Sequence, residues 1–215
     1  MSIAALLYNW SFFTMLGYAP FPMKLSITQL GWVFFAWGVL VAFFSVVGAP
    51  WLQRRFGTAV SLYAAFTLFG LDLALIALDP SNRTLLVSCV IAAGIFIGIN
   101  NTLMTQAVML VSPVERPVAS AAYGFVRFIG GGLAPFAAGQ LVARTNLHVP
   151  FAIAAVTVVL AAVVLSTAHR TLADADQGID EDGHTIDDAE EVAGEVADEF
   201  GGAPGAIDEF ESARR

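Results

Sequence analysis

Residues 85–111 read LLVSCVIAAGIFIGINNTLMTQAVMLV, a run with no charged side chain. About 20 apolar residues in a helix cross the hydrocarbon core of a bilayer, and only a self-bonded backbone survives there. The run is therefore read as a membrane-spanning helix. Five further stretches of the same kind flank it, at residues 3–23, 28–52, 58–78, 117–143 and 149–169. The connectors are short and carry turn chemistry: Lys24-Leu25-Ser26, the Gln53 to Gly57 stretch, Asp79-Pro80-Ser81-Asn82-Arg83, the Ser112 to Pro117 stretch, and the Arg144 to His148 stretch. Short loops force antiparallel neighbours, so the expectation is an all-α, up-and-down bundle of six transmembrane helices over residues 1–170. An even number of crossings puts both termini on one side. The N-terminal stretch has no basic residue before it and is interrupted by Tyr8, Asn9 and Trp10, so it reads as the first span and not as a cleaved signal.

Composition agrees with this reading. Hydrophobic residues make up 57% of the chain and charged residues 13%, with a mean hydropathy of +0.73; soluble domains carry about 25% charge. The net charge of −8 is unevenly placed. Before residue 171 the only acids are Asp72, Asp79 and Glu115, while the segment 171–215 is rich in Asp, Glu, Gly and Ala. Such a segment buries too little apolar surface to offset its ordering entropy, so an acidic, disordered cytoplasmic tail is expected. Its functional alternative is an interaction arm, and His184 within it has no defined ligand spacing. Arg54, Arg55, Arg116 and Arg170 fall on the side of the termini, against Lys24, Arg83 and Arg144 opposite. The excess favours cytoplasmic termini in a plasma membrane.

Polar groups inside a bilayer are costly, so each raises a functional question. Tyr8, Asn9 and Trp10 interrupt the first span. Asn100, Asn101, Thr105 and Gln106, with Thr102, make the fourth unusually polar, and 101, 102, 105 and 106 share roughly one helical face. They line a cavity or hold helices together by hydrogen bonds. Arg127 lies near the middle of the fifth span with Tyr123 four residues earlier, so the two share a face. An anion or substrate contact, a gating pair and a structural pair are the readings of Arg127. Asp72 is either a proton-coupling group or one that reaches the interface. Pro20 and Pro22 end the first span, while Gly130, Gly131, Gly132 and Pro135 mark the fifth as a candidate for bending. Gly94 and Gly98 form a GxxxG pair in the fourth. Cys89 is the only cysteine, which rules out an intramolecular disulfide. No G-x-S-x-G, HExxH, phosphate loop or metal-type spacing occurs, so no enzyme, metal, cofactor or nucleic-acid reading is carried.

Two stretches carry a family resemblance. They are the Asn100 to Ala107 run, NNTLMTQA, and the Pro117 to Leu141 run, PVASAAYGFVRFIGGGLAPFAAGQL. Residues 3–170 resemble the C-terminal six-helix half of a major facilitator superfamily permease of the proton-linked drug or metabolite exporter type. The second run is similar to the Ala-Ser…Tyr…Arg-Phe…Gly…Pro…Gly pattern of that family's eleventh helix. Gly48 through Arg54, Arg55 and Gly57 resembles a degenerate form of its short basic conformational loop, with Arg54 standing where the family usually has an acid. The resemblance implies two inverted three-helix repeats, so the first and fourth spans correspond and line the pathway. Both carry the polar clusters. It further implies transport of a small organic solute by alternating access, with a complementary six-helix half or a second copy as partner. A chain that starts in the seventh of twelve helices is expected to be unstable or inactive alone. The competing reading is a non-transporting membrane subunit whose acidic tail recruits a partner.

Overall fold

The computed structural model describes residues 2–110, 116–169 and 172. The connector 111–115, with Glu115, and the acidic segment from 173 onward, with His184 and its expected disorder, lie outside the described residues. Every element among the described residues is helical: α1 (Ser2–Tyr18), α2 (Pro20–Met23), α3 (Ile27–Phe43), a π-helical segment (Phe44–Gly48), α4 (Ala49–Phe56), α5 (Thr58–Leu78), α6 (Arg83–Leu110), α7 (Arg116–Arg144) and α8 (His148–Ser166). Five helical paths are long and apolar enough to cross a membrane: Ile27–Phe56, Thr58–Leu78, Arg83–Met109, Pro117–Arg144 and His148–Ser166. The sixth is α1, which continues through Ala19 into α2. At 1.5 Å per residue that path is about 33 Å long, enough for the hydrocarbon core.

Three boundaries differ from the hydropathy reading, each for a backbone reason. The first span loses one ladder bond at Pro20, which has no N–H, while Ala19 keeps helical backbone and carries the path into α2. The second is not one regular helix. Pro50 cannot donate to the carbonyl four residues back, and the ladder widens so that the Ala49 N–H reaches the Phe44 carbonyl. The expected loop at residues 53–57 is instead helical through Phe56, and the turn is made by Gly57 alone, at φ 81° and ψ 163°. That region of backbone space is essentially restricted to glycine. Replacing Gly57 by alanine should therefore lower stability by about 1–3 kcal/mol, measured as an earlier thermal midpoint in detergent. Alanine at Gly139, where nothing lies within 4 Å of an added Cβ, is the matched control.

Helix packing reveals the internal repeat. The tertiary contacts place α1 on α7 and α8, α6 on α3 and α5, and α5 on α8. Exchanging the first three spans for the last three maps α1 on α7 onto α6 on α3, α1 on α8 onto α6 on α5, and α5 on α8 onto itself. Because successive spans alternate in direction and each unit holds three, the two units are inverted with respect to one another. The core lies where α1, α5, α6 and α8 meet, filled by Tyr8, Phe66, Phe69, Leu62, Ile97 and Phe151, all essentially inaccessible. Trp32, Phe35, Phe43 and Trp51 on the second span and Phe125, Phe128 and Phe136 on the fifth are exposed, as expected of side chains that meet acyl chains or another apolar surface.

Candidate functional site

Helix α1 is buried on nearly every side. Ala4, Ala5, Tyr8, Asn9, Ser11, Phe12, Thr14 and Met15 are all enclosed. The Tyr8 ring stacks on Phe66 of α5 at 4.9 Å, which holds its hydroxyl in place. Ser11 Oγ donates to the Ala154 carbonyl of α8 at 2.8 Å and locks α1 against the opposite repeat. Close packing of α7 on α1 is permitted by glycine. A Cβ at Gly130 would lie 2.9 Å from Leu6, one at Gly131 would lie 2.4 Å from Phe13, and one at Gly17 would lie 2.9 Å from Pro135. Gly132 has open space around it. The glycine and proline cluster thus seats α7 on α1, and α7 runs unbroken through Pro135.

The polar site forms where α1, α6 and α7 converge. On α6, Asn101 and Thr105 are four residues apart, as are Tyr123 and Arg127 on α7, so each pair projects from one helical face. The two helices run in opposite directions, which sets Asn101 opposite Arg127 and Thr105 opposite Tyr123. Arg127 donates from Nη2 to Asn101 Oδ1. Tyr123 lies beside Thr105 and Arg127, and the Arg127 guanidinium sits 6.0 Å from the Tyr123 ring centre and 5.5 Å from that of Phe128. Tyr8 of α1 completes the group, near enough to feel both Arg127 and Tyr123. The Tyr8 hydroxyl, the Tyr123 hydroxyl and Arg127 Nε are buried without a hydrogen-bond partner among the described residues.

Other residues singled out in the sequence lie elsewhere. Asn9 donates back to the Ala5 carbonyl of its own helix at 2.9 Å. Asn100 is buried with its carbonyl oxygen unpartnered. Trp10 is half-buried and Gln106 is exposed. Thr102 turns away from Arg127 and donates to the Ser45 carbonyl at 3.1 Å, so the polar stripe of α6 is divided between two neighbours. Among the described residues, no hydrogen bond or ring contact joins Asn9, Trp10, Asn100 or Gln106 to Arg127. Pro20 and Pro22 form α2 at the far end of the first span. Gly48 lies in the π-helical segment, where an added Cβ would meet the Phe44 ring at 2.4 Å. Arg54 and Arg55 are exposed in the last turn of α4, where cations complement the helix dipole. Asp72 is buried close to the Cys89 thiol, between α5 and α6. Cys89 is twelve residues before Asn101 on one helix, so this pair lies about 18 Å from the Arg127 level. Arg127 therefore has no carboxylate beside it among the described residues.

Sequence reasoning missed Ser45. Its hydroxyl donates to the Gly98 carbonyl at 3.2 Å while its own carbonyl accepts from Thr102. The available signal was a lone serine in an apolar run five residues before Pro50.

A family model described as the Major Facilitator Superfamily matches residues 1–193. The multidrug efflux protein YfmO of Bacillus subtilis (strain 168) is 41% identical to the chain over 173 residues, which are 80% of this chain and 44% of that protein. The chain thus spans less than half the length of that curated relative. No solved structure matches it.

Proposed function

The chain belongs to the Major Facilitator Superfamily and is a multi-pass membrane protein, and from that premise we propose that it is one six-helix half of a permease that moves a small organic solute across the plasma membrane. Alternating access is the mechanism: a complementary six-helix half, on the same polypeptide or another, packs against this one, and the two rock about a shared site. Tyr8, Asn101, Thr105, Tyr123 and Arg127 line the route. The observation that carries this reading is their convergence from three spans onto one intramembrane arginine with no acid beside it among the described residues. A guanidinium in an apolar bundle needs water, a ligand or a facing surface to meet its remaining donors, and a solute path supplies all three. Family membership speaks for a transporter over an enzyme, and the name of the 41% identical relative speaks for efflux of more than one solute. We take the termini to be cytoplasmic, on the membrane side that carries the exposed Arg54 and Arg55.

The test is solute accumulation in cells that express the chain with its complementary half. Accumulation of an exported dye should fall several-fold relative to cells with either half alone. Asn101→Leu removes the oxygen that Arg127 donates to. Loss of a hydrogen bond to a charged group costs about 1.5–3 kcal/mol, so export should slow by at least about tenfold. Export that is unchanged in Asn101→Leu at equal expression removes the site from the pathway. Robust export by the chain as a lone monomer removes the need for a second half.

A further inference from the structure

A second polar site lies at the opposite end of the bundle, independent of the proposed transport route. A cavity of about 470 Å³ opens there, lined by Phe21, Pro22, Met23, Lys24, Ser81, Arg83 and Leu147. We propose that it holds the phosphate of an anionic phospholipid headgroup in the leaflet facing away from the termini.

The geometry points to a lipid on three grounds. First, the walls come from the end of α2, the α5–α6 turn and the start of α8, all of which the up-and-down topology puts at one membrane boundary. Second, the charge is one-sided. Lys24 and Arg83 face the cavity and no carboxylate among the described residues lines it; Asp79, the one acid of this turn, is exposed outside it. Arg83 spends one nitrogen on Gln29 Oε1, at 3.2 Å, and its other donors meet no partner among the described residues. Lys24 follows α2 in a left-handed backbone conformation, φ 49°. Third, the cavity is amphipathic. Phe21, Pro22, Met23 and Leu147 form an apolar wall next to the cations, which suits a phosphodiester that continues into acyl chains. Basic pockets between membrane helices hold anionic headgroups at the cytoplasmic or matrix face, and the same pairing of cations with an apolar wall is present here in the other leaflet.

The experiment uses the full chain purified in detergent, with lipid retention followed by native mass spectrometry. Phosphatidylglycerol should be retained in preference to phosphatidylcholine. The pair Lys24→Gln and Arg83→Gln should weaken that retention about thirtyfold, since each cation near an anionic surface contributes about 1 kcal/mol, or about fivefold. Arg54→Gln with Arg55→Gln, at the other end of the bundle, should leave it intact. The charge-keeping pair Lys24→Arg and Arg83→Lys guards against a folding artefact and should retain lipid. Equal retention of the two lipids overturns the proposal, as does undiminished retention in the Gln pair. An equal loss in the charge-keeping pair does so too. Displacement of phosphatidylglycerol by inorganic phosphate at the same concentration would make the cavity a free-anion site instead.

Discussion

Arg127→Leu is expected to slow solute export by about tenfold to a hundredfold while leaving at least as much protein in the membrane. The two halves of that expectation have opposite signs and separate function from folding. An arginine at the centre of a span costs about 2.5–3.5 kcal/mol on insertion scales, whereas leucine is slightly favourable. The substitution therefore relieves insertion, and a fall in export cannot be assigned to lost protein. What is lost is the donor to Asn101 Oδ1 and the cation beside Tyr8 and Tyr123. A hydrogen bond from a charged group contributes about 1.5–3 kcal/mol, which is about tenfold to a hundredfold in rate or affinity. Arg127→Lys keeps the charge but loses the planar fork and should fall between the two. Export and membrane abundance are read in the same cells, which also carry the complementary half. If Arg127→Leu keeps more than half the export rate per molecule, Arg127 is a packing residue and the route runs elsewhere.

The two levels of this architecture were legible to different degrees. Span number and connectivity could be read directly, because the bilayer imposes a length on every apolar run and the connectors Lys24-Leu25-Ser26 and residues 79–83 are too short for anything but antiparallel neighbours. Ser26 and Gln29 even show a reciprocal capping box that starts α3. Pairing of the polar groups was only half legible. The four-residue spacings gave Asn101 with Thr105 and Tyr123 with Arg127, but spacing cannot say which helix faces which. Thr102 shares the polar stripe and yet turns to Ser45, because α3 lies on one side of α6 and α7 on the other. The widened backbone at Phe44–Gly48 was not legible from hydropathy at all. Pro50 was its visible sign, and hydropathy treats proline as one more residue in an apolar run.

Gly98→Val is the second substitution with a large expected effect, this time on stability, and the outcome should be a fall of about 10 °C in the thermal midpoint in detergent. A GxxxG pair such as Gly94 and Gly98 is weak evidence by itself, since small residues recur in any polytopic protein. Here the two glycines meet main chain. A Cβ at Gly94 would lie 2.6 Å from the Trp37 carbonyl oxygen, and one at Gly98 would lie 2.7 Å from the Val41 carbonyl oxygen and 3.0 Å from the Ser45 nitrogen. Backbone atoms cannot rotate out of the way as a side chain can, so α3 must move off α6. Overpacking of this kind costs about 1–3 kcal/mol. The shift also stretches the Ser45 to Gly98 and Thr102 to Ser45 hydrogen bonds, each contributing about 0.6 kcal/mol in a membrane protein. A total near 3 kcal/mol corresponds to about 10 °C for a chain of this size. Gly38→Ala and Gly124→Ala, both with nothing within 4 Å of the new Cβ, should change the midpoint little. Ser45→Ala should cost only the hydroxyl's bond to Gly98, about 0.6 kcal/mol or about 2 °C, because the carbonyl that accepts from Thr102 remains. A midpoint in Gly98→Val equal to that of the two open-site controls would mean that α3 and α6 are not in main-chain contact, and the symmetric packing of the two repeats would lose one of its pairs.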